Sequence, residues 1–140
     1  MKLGYFDFNP DYSIRPDDLA RACEERGYDS LWLGEHINIP VSRRTPYPLG
    51  GELPKYYSHM RDPFISLMAA GAVTKNLKLA TSICLMIERD PITTAKEVFY
   101  QIAPHGVLAY AETSFPGGAK RWEFQKATRA AQPTGINSRA

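Results

Sequence analysis

The strongest constraint on the fold is a regular alternation of strand-like and helix-like segments over the first hundred residues. Apolar, strand-like runs occupy residues 2–8, 30–37 and 77–87, and each is followed by a segment with apolar residues at helical spacing. Strands that alternate with helices of this length form a parallel sheet, because each helix crosses over and brings the next strand alongside the last. The order β-α-β-α-β-α therefore predicts an α/β fold with the helices packed outside the sheet.

The predicted helices share a way of starting. Pro16 stands at the first position of the first helix, where a missing N–H costs nothing. Asp62 and Pro63 open the second helix, and Asp90 and Pro91 open the third, each pair supplying an N-cap followed by a first helical residue. These signals fix where the three helices begin.

Two architectures share this alternation, the doubly wound sheet and the (β/α)8 barrel, and periodicity alone does not separate them. No G-x-G-x-x-G follows the first strand, and no G-x-x-x-x-G-K-[ST] occurs in the chain. The missing phosphate-binding motifs make the nucleotide-binding sheets less favoured.

Charge and composition narrow the class of protein. The net charge of +2 is too small to indicate a nucleic-acid or membrane partner, and no apolar run reaches the ~20 residues of a membrane span. The two cysteines, Cys23 and Cys84, cannot make a disulfide framework and read as buried thiols. No signal peptide is recognised at the N-terminus. We therefore expect a cytoplasmic protein without a nucleic-acid or membrane partner.

The alternating pattern stops after about residue 98. Pro104 interrupts the third helix, residues 107–111 give a weak fourth strand, and the remainder is small, polar and unpatterned. We predict an α/β domain at residues 1–103, with three to four βα units, and a divergent, poorly ordered tail at residues 104–140.

The pair Glu35 and His36 is the first candidate for chemistry. It stands at the end of the second strand, and catalytic residues of parallel α/β folds collect at the carboxyl ends of strands. A histidine there can exchange a proton with a substrate oxygen near neutral pH. The alternative is a structural pair, in which His36 bonds its own loop and Glu35 pairs with a basic residue: Arg43, Arg44 or Lys55.

Small hydroxyl-bearing residues in the third strand form a second candidate. Thr81 and Ser82, with Ile83, interrupt an apolar run and can mark a bulge or the close approach of a ligand to the backbone. They can equally bond only to their neighbours, and the sequence does not decide between the two readings.

The long connection at residues 38–61 and the histidines give weaker signals. Tyr47, Tyr56 and Tyr57 could form a lid over a flat ligand or lie on the surface of a mobile loop. His59 and His105 have no ligand spacing to each other or to a cysteine, so we predict no metal site.

Five motifs in order give the chain a recognisable likeness. They are GYDSLWLGEH at residues 27–36, YPLGGELP at 47–54, DPF at 62–64, LKLATSICLM at 77–86 and RDPITTAKEV at 89–98. Over roughly residues 1–98 the chain resembles the luciferase-like oxidoreductases that use a flavin or a deazaflavin, and within them the group predicted to use coenzyme F420.

The resemblance implies a (β/α)8 barrel, commonly a homo-oligomer, with F420 or flavin mononucleotide (FMN) at the carboxyl mouth of the strands. It implies that His36 works in proton transfer beside the cofactor ring and that Glu35 takes the place of the acidic residue before it. It also implies that Thr81, Ser82 and Ile83 contact the cofactor, with a cis peptide bond between Ser82 and Ile83. The reaction implied is hydride transfer between the cofactor and a small-molecule organic substrate, or monooxygenation of that substrate.

The likeness ends where the pattern ends. After residue 98 the family continues to a Gly-Gly-Arg stretch and a glycine-rich turn, and neither occurs here. Because a complete barrel takes ~250 residues, we expect an N-terminal portion whose barrel is not closed, encoded by a truncated gene. Such a piece is expected to bind the cofactor weakly or not at all. The alternative function is a non-catalytic remnant that associates through its open sheet.

Overall fold

Four parallel strands form one sheet. The structure is a computed structural model that describes the backbone of residues 1–105 and 108–109, and the side chains of residues 1–98. The strands lie side by side in chain order, which confirms the predicted parallel sheet. They are β1 (Gly4–Asp7), β2 (Ser30–Leu33), β3 (Lys78–Thr81) and β4 (Leu108–Ala109).

Three helices alternate with the strands at the predicted positions. They are α1 (Pro16–Glu25), α2 (Pro63–Gly71) and α3 (Pro91–His105). The Asp62 carboxylate caps α2 by accepting a hydrogen bond of 2.9 Å from the backbone N–H of Ile65. The Asp90 carboxylate does the same for α3, at 2.7 Å from the N–H of Thr93. The proline-led helix starts are therefore confirmed, and two of them are capped by the aspartate before the proline.

The core lies between the sheet and the first two helices. Leu31, Leu33 and Leu79 project from β2 and β3 into this layer and are almost fully buried. The other fully or nearly fully buried members are Leu19, Ala20, Cys23, Leu67, Ala70 and Leu77. Since successive side chains of a strand point to opposite faces, the alternate positions of β2 and β3 lie on the face that these helices do not cover.

The strands are shorter than predicted. β2 ends at Leu33 rather than at residue 37, and β3 ends at Thr81 rather than at residue 87. The apolar run continues beyond Thr81, but a 3-10 helix (Met86–Glu88) follows. Backbone pairing between the described strands does not continue to this point. The N–H of Leu85 is instead bound by the Glu35 carboxylate.

The long connection between β2 and α2 is anchored near its end. It contains a 3-10 helix (Lys55–Ser58), and Pro10 and Met60 form an antiparallel bridge. The guanidinium of Arg61 donates to the backbone carbonyl of Asp11 at 2.8 Å. These contacts join the connection to the segment that follows β1.

The last predicted segments lie partly outside the described residues. α3 continues through Pro104 to His105, and β4 lies within the weak fourth strand predicted at residues 107–111. The predicted tail falls mostly beyond what the structure describes. No helix in the described part of the chain combines the length and the apolar character needed to cross a membrane. The architecture is an open α/β sheet, compatible with part of a (β/α)8 barrel.

Candidate functional site

The carboxyl ends of β2 and β3 lie side by side. Leu33 is paired with Thr81 in the parallel register, and the next residue, Ser82, donates from its N–H to the carbonyl of Leu33 at 2.8 Å. His36 follows three residues after Leu33. The two segments predicted to carry chemistry therefore leave the sheet together, at the edge where βα loops form a cleft in parallel α/β folds.

His36 is half-buried at this edge. Its ring meets the ring of Tyr57 edge-to-face, with centroids 4.8 Å apart. Burial lowers the pKa of His36 below its usual value, and the negative charges of Glu88 and Glu35 oppose this effect. The imidazole is therefore biased toward its neutral form at pH 7, in which one ring nitrogen can accept a proton while the other donates a hydrogen bond.

Three tyrosines of the long connection pack beside His36. This tyrosine cluster consists of Tyr47, Tyr56 and Tyr57. Tyr56 stacks on Phe8 at 4.3 Å between ring centroids, and Tyr57 lies 4.7 Å from Tyr56. The hydrogen bond of Tyr56 with Tyr47 raises the pKa of the Tyr56 hydroxyl. The cluster therefore gives the site a half-buried aromatic wall.

Glu35 is fully buried and engaged by two partners. One carboxylate oxygen accepts from the backbone N–H of Leu85 at 2.5 Å, and the other accepts from Nε of Arg89 at 2.5 Å. Its partner is thus none of the basic residues that the sequence suggested. The predicted roles of Glu35 and His36 in catalysis remain predictions, and the structure adds that the Glu35 carboxylate belongs to an ion-pair network.

Arg89 is the centre of that network. Its side chain is 7% exposed, and besides Glu35 it contacts the carboxylates of Asp62 at 2.7 Å and Glu97 at 3.1 Å. The guanidinium also lies over the ring of Phe64, 4.5 Å from its centroid. Burial acts to lower the pKa of Arg89, but the hydrogen bonds and charges of Asp62 and Glu35 outweigh it, so the pKa is raised. Arg89 is a permanent buried cation.

Sequence reasoning missed Arg89. The available signal was its position in the third βα loop, directly before the Asp90-Pro91 helix start. A buried acid at the end of one strand needs a basic partner, since an unpaired buried charge is strongly unfavourable. Arg89 reaches Glu35 from the neighbouring βα loop, although it is further along the chain than the basic residues of the long connection.

The segment Thr81 to Ile83 shows no cis bond. All peptide bonds within the described residues are trans, so the expected cis bond between Ser82 and Ile83 is wrong for this structure. Trans is the form that a non-proline bond adopts unless its surroundings offset a cost of ~3–4 kcal/mol. The hydroxyl of Ser82 donates to the Leu33 carbonyl at 3.1 Å, as the structural reading of Ser82 anticipates.

Thr81 differs from Ser82 in the face that it occupies. Alternation along β3 places its side chain with Leu79, toward the helices. Its hydroxyl is fully buried and has no hydrogen-bond partner among the described residues. Any contact of Thr81 with a ligand on the other face would therefore pass through its backbone, and the cofactor-binding role of residues 81–83 remains a prediction.

The uncovered face beside these tips suits a flat, mostly apolar ring. Phe6 lies on this face by alternation and is 46% exposed. Gly34 is buried beside it, and a Cβ there would lie 3.6 Å from atoms of the Phe6 and Phe8 rings. Aromatic rings, a glycine and the half-buried His36 thus surround the candidate site. These residue types fit a flat aromatic ring.

Three further observations do not add to this site. Burial raises the pKa of the Cys84 thiol to about 11, so Cys84 is not a nucleophile near neutral pH. No group of three or more potential metal ligands comes together within the described residues. An open groove of about 300 Å³ lies at the opposite, amino end of the strands, lined by residues that include Gly4, Ser30 and Ala80.

Comparison with known proteins supplies the family. The family model described as luciferase-like monooxygenase matches residues 15–99, which include both strand tips and the Arg89 network. Uncharacterized proteins of Mycobacterium bovis and of two strains of Mycobacterium tuberculosis are each 41% identical to this chain over 101 residues. That alignment covers 70% of this chain and 36% of each relative. The chain therefore spans little more than a third of the length of these relatives.

Proposed function

Because this chain belongs to the luciferase-like monooxygenase family, we propose that it carries part of the active site of an oxidoreductase that passes a hydride between coenzyme F420 and an organic substrate. FMN is the alternative cofactor. The family typically binds flavin-type cofactors. We favour F420 because GYDSLWLGEH and the motifs after it resemble the group predicted to use that cofactor.

One observation carries the proposal most directly. The half-buried His36 stands at the tip of β2, next to the tip of β3 and within the part of the chain that matches the family. Its lowered pKa leaves it neutral and able to take a proton near pH 7. This is the property required of a group that exchanges a proton with a substrate while the redox change takes place elsewhere.

The residues divide the work as follows. His36 gives or takes the proton at a substrate oxygen. The backbone of Ser82 and Ile83 would hold the cofactor ring, and the tyrosine cluster shields His36 from water. The bound cofactor supplies the hydride chemistry, while the protein supplies position and electrostatics. The substrate is an organic molecule that reaches His36 at the tip of β2.

The proposal is tested by adding F420 and, separately, FMN to isotope-labelled protein and following two-dimensional NMR spectra up to millimolar cofactor. We expect one of the two to shift the signals of His36, Ser82 and Ile83 more than those of α1. The nicotinamide cofactor NADP serves as a control for unspecific stacking of a flat ring.

Two outcomes would contradict the proposal. Shifts that are equal for NADP and for the flavins would indicate unspecific stacking. An absence of shifts at His36 and Ser82 with both cofactors would favour the second function, a non-catalytic module. The exposed Phe6 on the uncovered face is the observation that keeps this second function in view, because unpartnered apolar surface promotes association.

A further inference from the structure

The tip of β2 beyond Gly34 is held by a side chain rather than by the sheet. The N–H of Gly34 donates to the carbonyl of Asp7 at 3.0 Å, and this is the last backbone hydrogen bond of the tip among the described residues. His36 contacts Tyr57 through its ring. Glu35, which lies between Gly34 and His36, is held by the Leu85 N–H and by Arg89. The direction of the chain at His36 therefore depends on where the Glu35 carboxylate is fixed.

The same carboxylate fixes the segment after β3. It accepts the N–H of Leu85, the residue that precedes the 3-10 helix, at 2.5 Å. The N–H of Glu88 in turn donates to the carbonyl of Leu85 at 2.9 Å. One buried side chain therefore ties together the two segments that hold His36 and the Ser82–Ile83 backbone.

Arg89 fixes the position of Glu35 relative to the helices. It reaches Asp62 at the start of α2 and Glu97 within α3, and it lies over Phe64. A guanidinium presents several N–H groups in a rigid plane, so it can hold several carboxylates in one geometry in a way that an ammonium cannot. The network is a rigid link from the helix layer to the strand tips.

Burial determines how Glu35 can act. The side chains of Glu35 and Arg89 are 0% and 7% exposed, and both oxygens of Glu35 are occupied. A substrate cannot reach the carboxylate without breaking the network. Glu35 can therefore influence the reaction only through its neighbours.

We propose that Arg89 and Glu35 form a positioning pair, which holds His36 against Tyr57 and holds the backbone of Ser82 to Leu85 beside it. Neither residue touches the substrate. The importance of this arrangement for hydride transfer rests on the function proposed above, whereas the arrangement itself exists in the cofactor-free protein. The pair is thus an addition to the site that the sequence motifs alone do not assign.

The test uses the NMR signals of the His36 ring in the cofactor-free chain. An edge-to-face contact with Tyr57 displaces these signals through the ring current of the tyrosine, so they report the position of His36. The variants are Glu35→Gln, which keeps an acceptor for the Leu85 N–H, and Arg89→Lys, which keeps the charge but not the planar fork. Glu97→Gln is the matched control, because it removes another carboxylate from Arg89 without touching the strand tips.

We expect the ring-current displacement of His36 to be lost in Glu35→Gln and Arg89→Lys and to be retained in Glu97→Gln. His59 gives an internal reference in the same spectra, since it contacts Asp11 and Tyr12 rather than this network. Unchanged His36 signals in folded Glu35→Gln and Arg89→Lys would overturn the proposal. So would an equal loss in all three variants, because that would indicate general loosening.

A second readout is the pKa of His36. Burial is the largest cause of its lowered value, so release of the ring from Tyr57 should raise this pKa in Glu35→Gln and in Arg89→Lys and leave it unchanged in Glu97→Gln. An unchanged or lowered pKa of His36 in both folded variants would contradict the positioning pair. These measurements need no cofactor, so failure of the cofactor titration would overturn the proposed function and leave the positioning pair to be decided by the His36 signals.

Discussion

Replacing Arg89 should destabilise this protein far more than replacing any one exposed partner of the same ion-pair network. Arg89→Met leaves the Glu35 carboxylate, which is 0% exposed, with uncharged partners alone, namely the Leu85 N–H and the Cys84 thiol. Removing one member of a buried pair typically costs ~3–5 kcal/mol. Asp62 and Glu97 are 31% and 33% exposed, so water can replace the lost contact for both of them.

The loss of stability in each single carboxylate variant should follow the burial of the carboxylate that is replaced. Glu97→Gln is expected to cost at most ~1 kcal/mol, the usual range for a solvent-accessible pair. Asp62→Asn should cost about the same, because asparagine still caps α2. Glu35→Gln should cost ~1–3 kcal/mol, since Arg89 keeps two carboxylates but loses its buried one.

Urea unfolding followed by circular dichroism measures these differences, provided that the slope of the transition is unchanged between variants. A double variant, Glu35→Met with Arg89→Met, should recover part of the loss of Arg89→Met, because the buried charge has then been removed as well. The reasoning is refuted if Arg89→Met costs no more than Glu97→Gln, or if the double variant is less stable than Arg89→Met alone.

Three further predictions concern other parts of the molecule. Because the pKa of folded His36 is lowered, the unfolded chain takes up the proton first, so stability should fall as pH drops from ~6.5 to the folded pKa. His36→Gln should lose this part of the pH dependence. The prediction is contradicted if the free energy of unfolding in urea changes with pH equally in both proteins. Glu24 accepts three backbone N–H bonds, the shortest 2.6 Å from Asn76, which lowers its pKa. Glu24→Ala should therefore destabilise by ~1–2 kcal/mol at pH 7. This effect should shrink as pH falls below ~4.3, where the unfolded carboxyl takes up its proton, and vanish below the lowered folded pKa. A penalty independent of pH would exclude the charge of Glu24 as its cause. Asn9 has a φ of 55° and its side chain donates to Ser66 at 2.7 Å. Asn9→Gly should thus be less harmful than Asn9→Ala, by ~1 kcal/mol of backbone strain, and the reverse order in thermal unfolding would refute this.

Local signals were sufficient for the elements and their order. Pro16, Pro63 and Pro91 each stand at the first helical position, because a proline there gives up no hydrogen bond. The apolar runs and the crossover rule gave the parallel sheet without any information about tertiary contacts. The family could also be recognised from short motifs, since those motifs lie within the first hundred residues.

Strand ends were less predictable. The apolar runs extend beyond Leu33 and Thr81, and hydrophobicity alone does not reveal where backbone pairing stops. Beyond Ser82, the N–H of Leu85 is bound by the buried Glu35 side chain instead of by a backbone carbonyl. That exchange depends on residues 50 positions apart, which a local pattern does not contain.

The sequence by itself determined that His36 would stand at the end of β2, beside the end of β3, because a parallel sheet aligns the carboxyl ends of its strands. Only the tertiary structure decided what Glu35 does. Candidates near in sequence, such as Lys55, lie on the long connection, whereas Arg89 reaches the buried carboxylate from the neighbouring βα loop. The physical reason is that a buried charge selects the partner that can be buried with it, and chain folding rather than sequence distance brings that partner close.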